Sequence, residues 1–126
     1  MITLAQVRAL ALALPEALEQ DHHGLPSFRV RGKIFAPIPD GSHLRVMVDE
    51  GEIRSCVAQE PDAFAEFWWG SKLACLVVEL DRADARQVRE LLTDAWLRKA
   101  PRTLVRAFEA QSPDAREDDS KRRPGL

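Results

Sequence analysis

The segment 73–80 places the strongest constraint on the fold of this chain. Seven of its eight residues are apolar, and Glu79 is the exception. Successive side chains of a strand point to opposite faces of a sheet, so a strand that is apolar on both faces has to be covered on both. A run this short is also more typical of a strand than of a helix. The segment is therefore predicted to be a central, buried strand.

A long amphipathic helix is predicted after this strand, capped by Asp81. Its apolar residues recur at helical spacing along one stripe: Val88, Leu91, Leu92, Ala95 and Trp96. If the helix ran straight through Pro101, basic side chains would enter that stripe: Lys99, Arg102 and Arg106. We therefore predict a break near residues 99–100 and a second short helix that begins at Pro101, because proline suits a first helical position.

The amino terminus is predicted to form a helix over residues 3–14. Thr3 and Gln6 have the spacing of a capping box, and apolar residues then recur on one face. Pro15 ends the helix because proline disfavours the helical conformation of the residue before it. The polar segment 15–24 that follows is interpreted as a connecting loop.

A hairpin is predicted around the dipeptide Arg31-Gly32, with strands at 27–30 and 33–38. This register places Phe28 opposite Phe35 as an aromatic pair across the strands. A strand at 43–48 with strict alternation follows a Pro-Asp-Gly-Ser turn.

The middle of the chain is predicted to hold a short helix over residues 50–59. Asp49 is its candidate N-cap. Pro61 is then predicted to open another helical turn that includes Phe64. The aromatic residues 67–69 and the glycine after them indicate a packed loop or a short strand.

Together these elements predict an α+β fold, with an antiparallel sheet of about four strands between an N-terminal and a C-terminal helix. A chain of 126 residues can bury a core without disulfides or a metal, so Cys56 and Cys75 are predicted to be free thiols and no cofactor is expected. Residues 1–110 are predicted to be one domain and the polar residues 111–126 a disordered tail. Without a membrane span or a signal-peptide pattern, the expected location is the cytoplasm.

Charge is distributed unevenly along the chain. The net charge of −2 argues against strong nonspecific binding to nucleic acid. Residues 1–81 contain 7 basic and 12 acidic residues, whereas residues 82–106 contain 7 basic and 3 acidic. Such a local excess is typical of an anion-facing surface, and equally of a helix with an arginine-rich solvated face.

Residues 24–36, G-L-P-S-F-R-V-R-G-K-I-F-A, resemble the hairpin motif G-x-P-x-F-x-x-x-G-K-x-F-A of the MmcQ/YjbR family. That family begins with a helix ended by proline and closes with an acidic-capped helix of the type found at 81–101. The resemblance covers roughly residues 1–108. It implies an α+β fold with an antiparallel sheet, likened to a double-wing arrangement of DNA-binding domains, and DNA as the ligand. It implies no catalytic residues.

Two groups of cations are candidate nucleic-acid contacts, because guanidinium and ammonium groups match phosphate. The first lies on the predicted outer face of the hairpin and the strand after it: Arg29, Arg31, Lys33 and Arg45. The second lies near the carboxyl terminus of the predicted helices: Arg98, Lys99, Arg102 and Arg106. Solvated strand and helix faces explain both groups equally well.

Trp68 and Trp69 are a candidate protein-interaction site if they are exposed, and part of a satellite core if they are buried. His22 and His23 are the candidate residues for a metal site or a small enzyme, although surface histidines are the simpler interpretation. No nucleophile motif, zinc motif or glycine-rich phosphate loop is present, so no catalytic or metal-binding residue is assigned.

The leading functional hypothesis is a small non-enzymatic binding module with DNA as its ligand. A protein–protein adaptor is the alternative, and an enzyme or metal protein is the third. No membrane partner is expected.

Overall fold

The computed structural model describes residues 1–111. Four helices and six strands lie in this part of the chain, in this order: α1 (Leu4–Leu12), β1 (Ala17–His22), β2 (Leu25–Val30), β3 (Lys33–Pro37), β4 (His43–Val46), α2 (Glu50–Gln59), β5 (Phe64–Trp69), β6 (Lys72–Glu79), α3 (Ala85–Lys99) and α4 (Arg102–Gln111). Apart from Gln111, which ends α4, the tail predicted over 111–126 lies outside the described residues. No helix in residues 1–111 is long and apolar enough to cross a membrane.

The strands of residues 1–111 pair into two antiparallel sheets, ordered β1-β2-β3 and β4-β6-β5. The central strand of the second sheet is β6, as its two-sided apolar sequence predicted, and its Leu76 and Val78 are fully buried. A backbone hydrogen bond from the Met47 N–H to the Phe35 carbonyl, 3.0 Å long, joins the two sheets. The α+β class and the antiparallel pairing are confirmed, with two strands more than the four or so predicted.

Residues 17–22, which were predicted to lie in a connecting loop, form β1 instead. Its residues are mostly polar and exposed, so neither alternation nor an apolar run marks it as a strand. The turn after it is the missed signal. His23 and Gly24 have φ values of 56° and 84°, the left-handed conformations that a two-residue hairpin turn requires. Arg31 and Gly32, at 50° and 82°, make the same turn between β2 and β3, as predicted.

The predicted pairing of Phe28 with Phe35 is wrong by one residue. Val30 does lie opposite Lys33, but Phe28 lies opposite Ala36. The register shifts between these pairs because Phe35 is an extra residue on β3, a β-bulge. The bulge leaves Phe28, Phe35 and Ala36 all fully buried.

The helix α2 has the predicted bounds. The Asp49 side chain accepts a hydrogen bond from the Glu52 N–H at 2.8 Å, which caps its first turn. Pro61 opens a single turn, in which the Ala63 and Phe64 N–H groups both donate to the Glu60 carbonyl. No helix continues from this turn, and Phe64 begins β5, which extends along β6.

The helix α3 begins at Ala85, three residues later than predicted, because its N-cap is Asp84. The Asp84 side chain accepts from the Gln87 N–H, and the Gln87 side chain accepts from the Asp84 N–H, a complete capping box. Ala100 is extended, and α4 begins at Arg102. The predicted break before Pro101 is therefore confirmed.

All five residues of the predicted α3 stripe are buried, and α3 packs against α1, β3 and β4. Trp96 is 0% exposed, and its indole N–H donates to the Pro15 carbonyl at 3.0 Å. Its ring centroid lies 5.0 Å from that of Phe108, which attaches α4 to the core. Helices α2 and α3 pack on the second sheet, on the face that carries the buried residues Leu44 and Val46. The opposite face carries partly exposed side chains such as Arg45 and Phe67.

Candidate functional site

Three chain segments end close together at one end of the sheets. They are the β2–β3 turn, the β5–β6 turn and the last turn of α3. The Arg98 guanidinium donates from Nη1 to the Met47 carbonyl at 2.7 Å, which fixes the last turn of α3 beside the end of β4. Strands β3 and β6 start at this end, since their first residues, Lys33 and Lys72, both lie near Lys99. Each segment supplies cations to a cluster that we call the basic end: Lys33, Lys72, Arg98 and Lys99.

The positive charges of the basic end act on one another. Partial burial lowers the pKa of Lys99, and the nearby charges of Arg98, Lys33 and Lys72 lower it further. None of the three lysines has an ion pair among residues 1–111. Elsewhere on the surface, arginines do have carboxylate partners: Arg8, Arg31, Arg54 and Arg86. Within residues 1–111, the three lysines of the basic end therefore lie close to one another without a carboxylate in ion-pair contact.

The predicted hairpin cations do not form one surface. Arg31 lies in the β2–β3 turn and is bound by the Glu16 carboxylate, with Nη2 3.0 Å from Oε2. Arg29 is partly buried, and its Nε donates to the Ser27 hydroxyl at 3.2 Å. Arg45 lies on β4 in the other sheet, with its guanidinium 4.0 Å from the centre of the Phe67 ring. Lys33 alone of the four joins the basic end.

The second predicted group is also divided. Arg98 and Lys99 lie in the basic end, whereas Arg102 and Arg106 are on the exposed face of α4. The other face of α4 packs on the core through Leu104, Val105 and Phe108. The assignment of Arg102 and Arg106 to nucleic acid stays a prediction.

Lys72 is the residue of the basic end that the assignment from sequence left out. Lys72 follows the Gly70-Ser71 turn, and Gly70 has a φ of 64° that suits a tight hairpin. A glycine turn after an aromatic strand, followed by lysine and an apolar run, was the available signal for a second basic hairpin tip.

Trp68 and Trp69 lie on opposite faces of β5. The Trp68 indole N–H donates to Glu66 at 2.9 Å, and the Arg54 guanidinium of α2 is 6.0 Å from its ring. Trp69 lies opposite Lys72 in the β5–β6 hairpin. The exposed fractions are 43% for Trp68 and 72% for Trp69, so neither belongs to the core.

The two adjacent histidines, His22 and His23, are at the end of β1, with ring centroids 4.4 Å apart. No group of three or more potential ligands that could hold a metal ion lies among the residues described. His43 is distant in sequence and is bound on both sides, with Nδ1 2.9 Å from Asp40 and Nε2 2.6 Å from Glu79. These hydrogen bonds, Asp40 first, raise the pKa of His43.

An acidic groove of about 190 Å³ separates α2 from α3. Glu52 and Asp94 face each other across it, next to Cys56, which like Cys75 is a free thiol. Burial, and then hydrogen bonding and repulsion with Asp94, raise the pKa of Glu52 to about 8. The raised pKa means that the Glu52 carboxyl holds its proton to a higher pH than an ordinary glutamate, which lowers the repulsion between two neighbouring carboxyl groups.

Comparison with known proteins gives a family and a fold. The family model described as YjbR matches residues 12–98. Uncharacterized proteins of Mycobacterium tuberculosis (Rv2570) and Mycobacterium bovis (Mb2600) are each 36% identical over 75 residues, which is 59% of this chain. The match spans only 58% of the length of these relatives. The crystal structure of Deinococcus radiodurans protein DR2400, with a domain described as DUF419, has a TM-score of 0.67 and 23% identity, and the match covers 77% of this chain and 78% of that one.

Proposed function

This chain belongs to the YjbR family, and we propose that it is a non-catalytic binding module that holds DNA by its phosphates at the basic end. Its curated relatives are uncharacterized, so the proposal is supported by the site itself. Its expected location is the cytoplasm, a reducing compartment that suits the free thiols Cys56 and Cys75.

The observation that carries the proposal is the convergence of Lys33, Lys72 and Lys99 without a carboxylate partner. Bringing like charges together costs free energy, and a polyanion removes that cost when it binds. Phosphates of a nucleic acid also release condensed counterions, which favours binding at low salt. The cations come from two hairpin tips and from the end of α3, so a bound strand would be held by several segments of the chain at once.

The test is fluorescence anisotropy of labelled DNA, titrated with protein over a salt series. We expect log K to fall linearly with log salt between about 50 and 200 mM. The triple variant Lys33→Ala, Lys72→Ala, Lys99→Ala should bind more weakly at low salt. Its slope should be smaller by about 0.9 for each duplex phosphate contact that is lost.

A matched control removes the same charge elsewhere: Arg82→Ala, Arg86→Ala, Arg89→Ala. All three residues are exposed and precede or lie in the first half of α3, with Arg89 about 15 Å from Lys99 along the helix. This variant should keep the wild-type slope. Equal loss of slope in both triple variants would show binding by overall charge and would contradict the proposal, as would no binding at low salt.

A protein adaptor is the second candidate, because Trp68 and Trp69 are both exposed, an uncommon arrangement for large aromatic side chains. Exposed tryptophans are frequent anchors of protein interfaces. The distinguishing result is a purified partner protein whose affinity is lost with Trp68→Ala, Trp69→Ala and kept with the triple lysine variant.

A further inference from the structure

The two faces of β5 have different chemistry. Side chains alternate along a strand, so Glu66 and Trp68 share one face and Phe67 and Trp69 share the other. The hydrogen bond between Trp68 and Glu66 places these two side chains on the same face. The pairing with β6 shifts register after Phe67, but the extra residue of this bulge is Ala74 on β6, so β5 itself keeps its alternation. Arg54 of α2 forms an ion pair with Glu66 at 3.9 Å, which identifies that face as the helix-covered one. Phe67 and Trp69 therefore lie on the opposite, uncovered face.

Two flat groups lie side by side on this uncovered face. One is the Trp69 indole, the most exposed tryptophan described. The other is the Arg45 guanidinium, which stacks on the Phe67 ring at 4.0 Å. Phe67 and Trp69 are two residues apart along the strand, a separation of about 6.8 Å.

The charge next to these flat groups is positive. Lys72 lies opposite Trp69 in the hairpin and belongs to the basic end. Arg45 has no ion pair among residues 1–111, and its Nε is buried without a hydrogen-bond partner. The acidic residues of this face, Asp40 and Glu79, are bound to His43 at the far end of β4. A ligand placed over Trp69 thus meets aromatic surface and cations together.

This combination distinguishes between forms of nucleic acid. Bases of a duplex expose only their edges, because their flat faces are stacked on one another. Single strands instead present flat base faces, which stack on aromatic rings or on guanidinium planes while cations contact the backbone.

We infer that the uncovered face of β5 binds a single-stranded stretch of nucleic acid, with one unpaired base stacked on Trp69, the next position over the Arg45–Phe67 pair, and the backbone held by Lys72 and the basic end. This inference rests on the proposed function, since it specifies the ligand of the same site.

The test compares a labelled single-stranded oligonucleotide with the duplex of the same sequence, in anisotropy titrations of wild-type protein and two tryptophan variants. Wild-type protein should bind the single strand more tightly. Trp69→Ala should weaken single-strand binding by about tenfold, the usual loss for one stacked base, while Trp69→Phe should retain most of the affinity. Trp68→Ala is the matched control, because the same side chain is removed from the other face of the same strand, and it should change the affinity less than about twofold.

Failure of this inference differs from failure of the proposed function. Tighter binding to the duplex, or equal losses with Trp69→Ala and Trp68→Ala, would overturn the single-strand inference. The proposed function of the basic end would still stand in that case, provided that the binding weakened with salt. Absence of binding to either oligonucleotide would overturn both. A dimer of this chain that dissociates in Trp69→Ala without any effect on nucleic acid would assign the face to a second copy and overturn the inference.

Discussion

Replacing Trp96 by Ala should lower the free energy of unfolding by about 3 to 5 kcal/mol. Trp96 is fully buried, donates its indole N–H to the Pro15 carbonyl and packs against Phe108. The substitution leaves a large cavity, removes the partner of a backbone carbonyl and detaches α4 from the core. Urea denaturation followed by far-UV circular dichroism measures the loss, and the Trp69→Ala variant is the matched control.

The control removes an equally large side chain from the surface, where Trp69 is 72% exposed. Its expected change is within about 0.5 kcal/mol. A loss below about 1 kcal/mol in Trp96→Ala would contradict the placement of this residue at the centre of the core. The Trp96→Phe variant separates the two contributions, because it keeps much of the packing and loses the hydrogen bond.

The second large effect is a dependence of stability on pH that comes from Glu52. Its pKa in the folded protein is about 8, above the ordinary value of 4.5. A group whose pKa is raised by folding contributes stability that is fully present below about pH 4.5 and is lost as the pH rises through about 8. Thermal stability should therefore fall between pH 5 and pH 8, roughly the interval between these values.

The variant Glu52→Gln should remove most of this slope, because glutamine keeps the hydrogen-bonding shape without the titration. We expect it to be more stable than wild type by about 1 to 2 kcal/mol at pH 8 and equal at pH 5. Converting the whole shift from 4.5 to about 8 at 1.36 kcal/mol per pKa unit would give about 5 kcal/mol, and the expected effect is smaller because Glu52 is partly exposed and solvent screens it.

His43 contributes to the pH dependence with the same sign, because Asp40 and Glu79 raise its pKa in the folded protein. The measurement is therefore the difference in melting temperature between wild type and Glu52→Gln across the pH range. A difference that does not change with pH would show that Glu52 does not share a proton with Asp94.

Local patterns predicted the elements whose boundaries depend on neighbouring residues. The bounds of α2 follow from the Asp49 cap, and the buried stripe of α3 follows from helical spacing. The break at Ala100 follows from Pro101 and from the basic residues that a straight helix would have buried. β1 was missed because an edge strand exposed on most of its positions needs no apolar pattern.

The sequence by itself determined which residues are apolar, where helices stop, where the chain reverses and which strand is central. Only the tertiary structure decided that Lys33, Lys72 and Lys99, from segments far apart in the chain, share one end of the sheets without a carboxylate. It also decided that Arg31 is bound by Glu16 and that Trp69 and Trp68 lie on opposite faces of β5. The physical reason is that caps and periodicity act over a few residues, whereas the neighbours of a surface charge are set by sheet register and by how the helices pack on the sheets.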